Sequence, residues 1–246
     1  MKVLILAGGY GTRLYPVIKD TPKALLEVAG KTLIDHTVDK FKEISGIDEV
    51  VIVTNAKFAD MMSAWAGRRQ DRSFSIRIVN DGTHTPEERL GAIGDVLFVV
   101  DREKNVSDWI VAGSDNLFDF DIKPFADFSR AKSPSITVGC YDINDLAGAA
   151  KYGVIQLDAQ GRMTSLEEKP KQPKSSLISM CLYFYPAASL PLLRRFVDET
   201  HNADTTGGYV QWLYKKQPVF GLTFSGKWYD IGSVESYNEA QKSFRN

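Results

Sequence analysis

One glycine-rich loop near the N-terminus restricts what this chain can fold into more than any other stretch. Leu4, Ile5 and Leu6 form an apolar run, Gly8, Gly9, Tyr10, Gly11 and Thr12 break it, and Arg13, Leu14, Tyr15 and Pro16 lead on to Thr21, Pro22 and Lys23. Glycine permits unusual dihedrals and close backbone approach, so a loop of this kind brings N–H groups against phosphate. Arg13 and Lys23 add a planar fork of donors and a mobile point charge. The expectation is a strand that ends in a triphosphate grip.

The pattern that follows places this loop in a layered fold. Leu33, Ile34, Val38, Phe41 and Ile44 recur at helical spacing, Gly46 stops them, and Val50 to Val53 reads as a strand. The spacing predicts further helices over 57–65 and 87–100 and strands over 76–79 and 109–112, an alternation that argues for parallel strands covered by helices. From Ser135 the style changes to strand-like runs over 136–141, 153–157, 163–166 and 180–185, and helices return over 187–199, 209–215 and 234–244. The implied class is α/β, Rossmann-like, with a mixed, mostly parallel central sheet flanked by helices and a smaller antiparallel extension. No linker or repeat divides residues 1–246, so a single domain is expected.

Charge narrows the partners. With 30 Lys+Arg against 31 Asp+Glu, the net charge of -1 gives no global field to draw nucleic acid or an acidic membrane. No apolar segment is long enough to span a bilayer, and the first apolar run stops at Gly8 and Gly9 instead of reaching a cleavage site. Cys140 and Cys181 sit in apolar strand-like runs, which suits reduced core residues. These features point to a cytoplasmic protein with small-molecule partners. Association into a homo-oligomer through exposed apolar surface is left open.

Two phosphate motifs resemble the loop and fail. The dinucleotide fingerprint would need a third glycine where Leu14 stands, and Pro16 and Pro22 interrupt the helix it requires. Gly30, Lys31 and Thr32 imitate the end of a P-loop, but the earlier glycine is replaced by Leu25. The pattern GGxGTRLxP followed by TPK instead resembles the signature of the sugar-phosphate nucleotidyltransferases, or nucleoside-diphosphate-sugar pyrophosphorylases, such as the thymidylyl- and uridylyltransferases of glucose 1-phosphate. Similar stretches at Lys31 to His36, around Asp115, at Tyr152 to Val154, at Glu168 to Pro170 and at Trp228 to Ser236 extend the likeness along nearly the whole chain.

The resemblance implies roles for named residues. Leu6, Gly8, Gly9, Gly11 and Thr12 would wrap the nucleotide, with Arg13 and Lys23 as the catalytic cations. Asn80 and Gly91 stand in the base-reading region. Asp115 ends an apolar strand, where ligands of open α/β sheets gather, and Asp230 would complete a Mg²⁺ site with it, a cation that prefers one or two carboxylates plus phosphates and water. As alternatives, Asp115 sits in an ordinary Asp-Asn turn and Asp230 caps the helix near Ser233. Asp119 and Asp121 imitate a DxD metal motif but read as a helix start. Tyr152, Gly153, Glu168 and Lys169 would form the sugar-phosphate site, Glu168 accepting from sugar hydroxyls and Lys169 meeting the phosphate.

On this reading residues 1–134 bind nucleotide, residues 135–246 bind sugar phosphate, and no hexapeptide-repeat domain follows. The expected activity joins a nucleoside triphosphate, dTTP or UTP favoured, to a sugar 1-phosphate with release of pyrophosphate. Two departures from the family pattern bear on the substrates: Asn80, Asp81 and Gly82 lead through His84 and Pro86, and Ser179, Met180 and Cys181 stand where relatives carry a carboxamide or small residue and glycine. They keep open a cytidylyl transfer to a non-sugar phosphate such as phosphocholine, or a non-catalytic nucleotide-binding relative. His36, His84 and His201 show no metal-ligand spacing and read as structural or solvated.

Overall fold

The computed structural model of the protein describes residues 1–15, 18, 20–70 and 73–244. Pro16, part of the glycine-loop motif, lies outside the described residues. The chain forms two compact units, each drawn from separated segments: 1–90, 112–123 and 226–246 in the first, 91–111 and 124–225 in the second. The strand Trp109–Gly113, buried throughout, carries the chain from the second unit into the first.

In the first unit, Lys2–Ala7 pairs in parallel with Glu49–Thr54, which pairs in parallel with Ser75–Asn80. Leu33–Lys40 and Ala59–Arg68 are the intervening helices. The middle strand is β-branched at Val50, Val51, Ile52 and Val53, all fully buried, which is how a strand covered on both faces reads. Thr32 starts the first helix by accepting a hydrogen bond from the Asp35 N–H, as an N-cap should. Asn116–Phe118 and Trp228–Asp230 form a short antiparallel ribbon, with Asp230 opposite Asn116. Below it, Leu14, Ile18, Val28, Leu33, Leu117, Ile231 and Phe244 share one apolar cluster, so the glycine loop, the ribbon and the last helix, Val234–Ser243, are packed as one body.

The second unit carries the mixed extension. Gly153–Leu157 runs antiparallel to Met163–Glu168 and to Leu177–Tyr185, Leu177–Tyr185 runs antiparallel to Ile136–Asp142, and Val219–Phe224 lies parallel to Ile136–Asp142. Helices Ala92–Val100, Lys123–Lys132, Leu190–Thr200 and Thr206–Leu213 accompany these strands. The expected α/β class therefore holds, with a mixed, mostly parallel sheet, flanking helices and small antiparallel pairs.

Several boundaries differ from expectation for identifiable reasons. The helix expected over 87–100 is α-helical only at Ala92–Val100, because Gly91 at φ 82 breaks the right-handed path and Pro86–Glu88 closes a separate 3-10 turn. The helix expected over 57–65 runs Ala59–Arg68, that over 187–199 becomes a 3-10 turn followed by Leu190–Thr200, and that over 209–215 is Thr206–Leu213, started by the Thr205 hydroxyl. Asp121 does start a helix, accepting from the Lys123 N–H at 2.8 Å, whereas Asp119 accepts from the Lys227 N–H at 2.8 Å and belongs to a loop crossing. His36 is buried, its Nε2 2.8 Å from the Val28 carbonyl and its ring edge-on to Phe244. Neither cysteine forms a disulfide, and burial pushes the Cys140 thiol up to about 12.

The three parallel strands are tied at one end by charge. Arg77 donates to both carboxylate oxygens of Glu49 at 2.8 and 3.1 Å, and Lys2 reaches the same group at 2.9 Å. Arg77 leads in holding the Glu49 carboxyl down at about 2, against burial, with Lys2 assisting. A depressed carboxyl stabilises the fold fully above its ordinary value of 4.5 and loses that contribution as pH falls toward 2. Glu49→Gln should therefore cost about 1 kcal/mol at pH 7 and flatten the loss of stability between pH 4.5 and 2, read from urea midpoints across that range. Parallel acid profiles for the two proteins would show that the cluster contributes nothing.

Candidate active site

Past the end of the first strand the chain is anchored on either side of Gly9. The Gly8 carbonyl accepts from Asn55 Nδ2 at 3.0 Å, and the Tyr10 hydroxyl, buried, donates to Thr83 Oγ1 at 3.2 Å. Between these anchors Gly9 faces open space, with nothing within 4 Å of the position a Cβ would take. Gly11 adopts φ 64, ψ 25, and a Cβ there would stand 2.8 Å from Ile18 Cδ1. Its left-handed turn feeds a 3-10 turn, Thr12–Leu14, closed by the Leu14 N–H on the Gly11 carbonyl at 2.9 Å, which buries Leu14 and leaves Thr12 and Arg13 exposed.

Lys23 opens a second 3-10 turn, Lys23–Leu25, after the extended Pro22. Its Nζ lies 2.6 Å from Asp115 Oδ2. Asp115 follows the strand Trp109–Gly113, next to Ser114, whose N–H donates to the Leu6 carbonyl at 3.1 Å. Asn116 Nδ2 donates to Asp115 Oδ1 at 3.2 Å. Burial pushes the Asp115 carboxyl up, but Lys23 and, further off, Arg13 outweigh it and hold the group below its ordinary value. Asp115 is thus kept as a carboxylate.

Asp230 reaches the same place through the ribbon. Its residue pairs with Asn116, the Ile231 N–H donates to the Asp115 carbonyl at 3.0 Å, and the position a Cβ would take at Gly232 is 3.4 Å from Asp230 Oδ2 and 3.7 Å from Arg13 Nη2. Ser233, with Ser236 in a capping box, starts the last helix, so Asp230 is not its cap. A cavity of about 290 Å³ results, and Leu6, Gly9, Gly11, Thr12, Arg13, Lys23 and Asp115 all line it. Among the described residues no group of three or more His, Cys, Asp or Glu could cage a metal. Asp230 itself is not part of the lining and comes up behind Gly232, which is; one carboxylate in the lining, a second close behind it and open phosphate-sized space fit a hard cation that takes the rest of its shell from substrate oxygens and water.

Three nucleotide candidates stand apart from that cavity's lining. Gly8 serves as an anchor through its carbonyl. Asn80 ends the third parallel strand and folds its Oδ1 onto the Gly82 N–H at 2.8 Å in a local turn. Gly91 belongs to the second unit, where a Cβ would meet the Ala203 carbonyl at 2.5 Å and Asp204 Cα at 2.6 Å; that side of the glycine is filled by the chain itself.

The four sugar-phosphate candidates do come together, within the second unit. Gly153 starts a strand directly opposite Glu168, and Tyr152 precedes it, its carbonyl accepting from the Lys169 N–H at 2.9 Å. Lys169 adopts φ 47, a left-handed conformation that a non-glycine residue holds only when its surroundings enforce it. Its Nζ lies 4.0 Å from Glu168 Oε1 and is largely exposed. Burial pushes the Glu168 carboxyl up, with the Lys169 charge opposing. Sequence reasoning missed Asn55, Tyr10, Ser114 and Gly232; Asn55 and Ser114 carry a signal, each standing just past the carboxyl end of a buried strand.

Comparison with known proteins gives the family. The family described as nucleotidyl transferase matches residues 2–246. A glucose-1-phosphate adenylyltransferase of Thermosipho africanus is 27% identical over 251 residues, which cover 96% of this chain and 60% of that protein, so the chain spans about three fifths of the relative's length. A crystal structure from Bacillus anthracis, assigned as a glucose-1-phosphate thymidylyltransferase in complex with a sucrose, superposes with a TM-score of 0.79 at 26% identity, covering 98% of this chain and 94% of that one. A UDP-glucose pyrophosphorylase complexed with UDP-glucose shares the fold, with a TM-score of 0.81 at 23% identity and coverage of 98% and 97%.

The loop geometry separates two glycines. Gly11→Ala should cost about 1–2 kcal/mol through its left-handed backbone and lower the melting temperature by about 2–8 °C, while Gly9→Ala, in open space, should leave it unchanged. Calorimetric scans of the two variants check this. Equal melting temperatures would mean that the Gly11 turn is not held as described.

Proposed function

Since the chain belongs to the nucleotidyl transferase family, we propose that it transfers a nucleotidyl group from a nucleoside triphosphate to a sugar 1-phosphate, releasing pyrophosphate and forming a nucleotide-activated sugar. The observation that carries this reading is the cavity in which the glycine loop, Arg13, Lys23 and the ionised Asp115 converge. No covalent intermediate is needed. An oxygen of the sugar phosphate attacks the α-phosphorus, the new P–O bond forms as the bond to the β-phosphate oxygen breaks, and the electron pair leaves with pyrophosphate. The protein's task is to position both substrates and stabilise the charge that develops.

In this reading the loop from Gly9 to Thr12 lies against the triphosphate and Arg13 neutralises the departing pyrophosphate. Lys23 exchanges Asp115 for a phosphate oxygen when nucleotide arrives. Asp115 and Asp230 are the residues that would hold Mg²⁺, and the bound cation would neutralise phosphate charge. The second unit takes the sugar phosphate, with Glu168 accepting from hydroxyls and Lys169 meeting the phosphomonoester. Relatives and structural neighbours are named for adenylyl, thymidylyl and uridyl donors. They support the reaction class more than the dTTP or UTP preference, which is a matter for assay because single-methyl differences between bases are worth only about 1–3 kcal/mol to a pocket.

The test is a matrix of five nucleoside triphosphates against sugar 1-phosphates and phospho-alcohols, read by pyrophosphate release with Mg²⁺. At least one sugar 1-phosphate pair should react, chelation should abolish release, and Arg13→Ala and Asp115→Asn should each lower kcat/KM by about 100-fold or more. Release with phosphocholine-like acceptors only would replace the sugar with another substrate class. Silence across the matrix, from a folded protein that still binds nucleotide, would make the chain a binding relative instead of an enzyme.

A further inference from the structure

The helix Thr206–Leu213 is only eight residues long and spends two of its first positions on glycine, Gly207 and Gly208. Glycine is among the poorest helix formers, because it loses the most backbone freedom. Neither residue has a positive φ that would demand it. Gly208 has a local explanation: its N–H donates to the capping Thr205 Oγ1 at 3.0 Å, and a Cβ there would stand 2.9 Å from that oxygen. Gly207 does not share it. A Cβ on Gly207 would run into the carboxylate of Glu168, overlapping Oε2 and standing 2.9 Å from Cδ.

Other contacts show that this meeting is built from several elements of the second unit. Gln211, four residues on and so on the same helix face, accepts from the Glu168 N–H at 3.3 Å. Across the strand pair, Gly153 lies opposite Glu168, and a Cβ there would stand 3.0 Å from Oε2 and 3.6 Å from Ser179 Cβ. The carboxylate therefore occupies a slot between two glycines, one on a strand and one on a helix. Both are buried, while Glu168 itself is only partly so.

We propose that Gly207 is a positioning residue for sugar-phosphate binding: by lacking a side chain it opens, opposite Gly153, the slot that fixes the Glu168 carboxylate toward the sugar. This rests on the reading of Glu168 as the acceptor for sugar hydroxyls given above. The atoms that a new Cβ would meet are the far end of a flexible side chain and not backbone, so Glu168 yields and the fold does not. Substitution should thus separate binding from stability, since alanine is the better helix former.

Calorimetric titration with glucose 1-phosphate, and separately with nucleoside triphosphate, tests this in Gly207→Ala, Gly208→Ala and Glu168→Gln, with melting temperatures measured alongside. Gly207→Ala should weaken glucose 1-phosphate binding about tenfold, leave nucleotide affinity within twofold and melt no lower than the parent. Gly208→Ala should leave glucose 1-phosphate affinity unchanged and act on stability alone. Shortening the acid, in Gly207→Ala combined with Glu168→Asp, should recover part of the lost affinity. If Glu168→Gln weakens glucose 1-phosphate but Gly207→Ala does not, the positioning role is overturned and the reading of Glu168 stands. If Glu168→Gln has no effect, that reading falls and the inference with it. A Gly207→Ala protein that melts lower and loses both ligands alike would make Gly207 a structural residue.

Discussion

Lys23 and Asp115 meet at 2.6 Å, and much of the first unit is arranged to bring them there. Two opposite charges that are largely removed from water depend on each other, because taking away one partner leaves the other uncompensated. The lysine comes from a 3-10 turn after the glycine loop and the aspartate from the end of a buried strand 92 residues later. Their contact fixes the loop to the sheet's carboxyl end and keeps Asp115 ionised against the pull of burial. In the proposed reading this contact keeps the cation and the carboxylate at the cavity until nucleotide arrives, when Lys23 passes to a phosphate oxygen and the charges need little further reorganisation.

Asp230 is brought near Asp115 by backbone pairing, independently of the lysine. Residues 226–244 fold into the first unit with the N-terminal segment, and the ribbon between Asn116–Phe118 and Trp228–Asp230 places Asp230 opposite Asn116, the neighbour of Asp115. The apolar cluster of Leu14, Leu117, Ile231 and Phe244 sits beneath that ribbon. A carboxylate 115 positions away in sequence from Asp115 is thereby positioned by ordinary core packing, behind the Gly232 that lines the cavity.

The periodic parts of this fold were legible in the sequence. Val50 to Val53 and Ile136 to Tyr141 are apolar runs that burial explains directly, and the break at Gly8 marks the end of the first strand. Three-residue ribbon strands carry no period to read, and the helical spacing over 87–100 runs through Gly91, whose positive φ confines the helix to Ala92–Val100. The cavity residues were readable as motifs. The partners of their supports were not: Tyr10 is tied to Thr83 and Asn55 to Gly8 by pairings 73 and 47 residues apart, which only the folded chain creates. Gly207 is the sharpest case, a helix position that is wrong by propensity and intelligible only once Glu168 is seen beside it.

A crystal structure with an uncleavable nucleoside triphosphate analogue and Mg²⁺ tests the central claim most directly. The account predicts Lys23 Nζ on a phosphate oxygen, the metal held by Asp115 and Asp230, and the triphosphate along Gly9 to Arg13. A nucleotide bound elsewhere, with the contact between Lys23 and Asp115 intact, would contradict it.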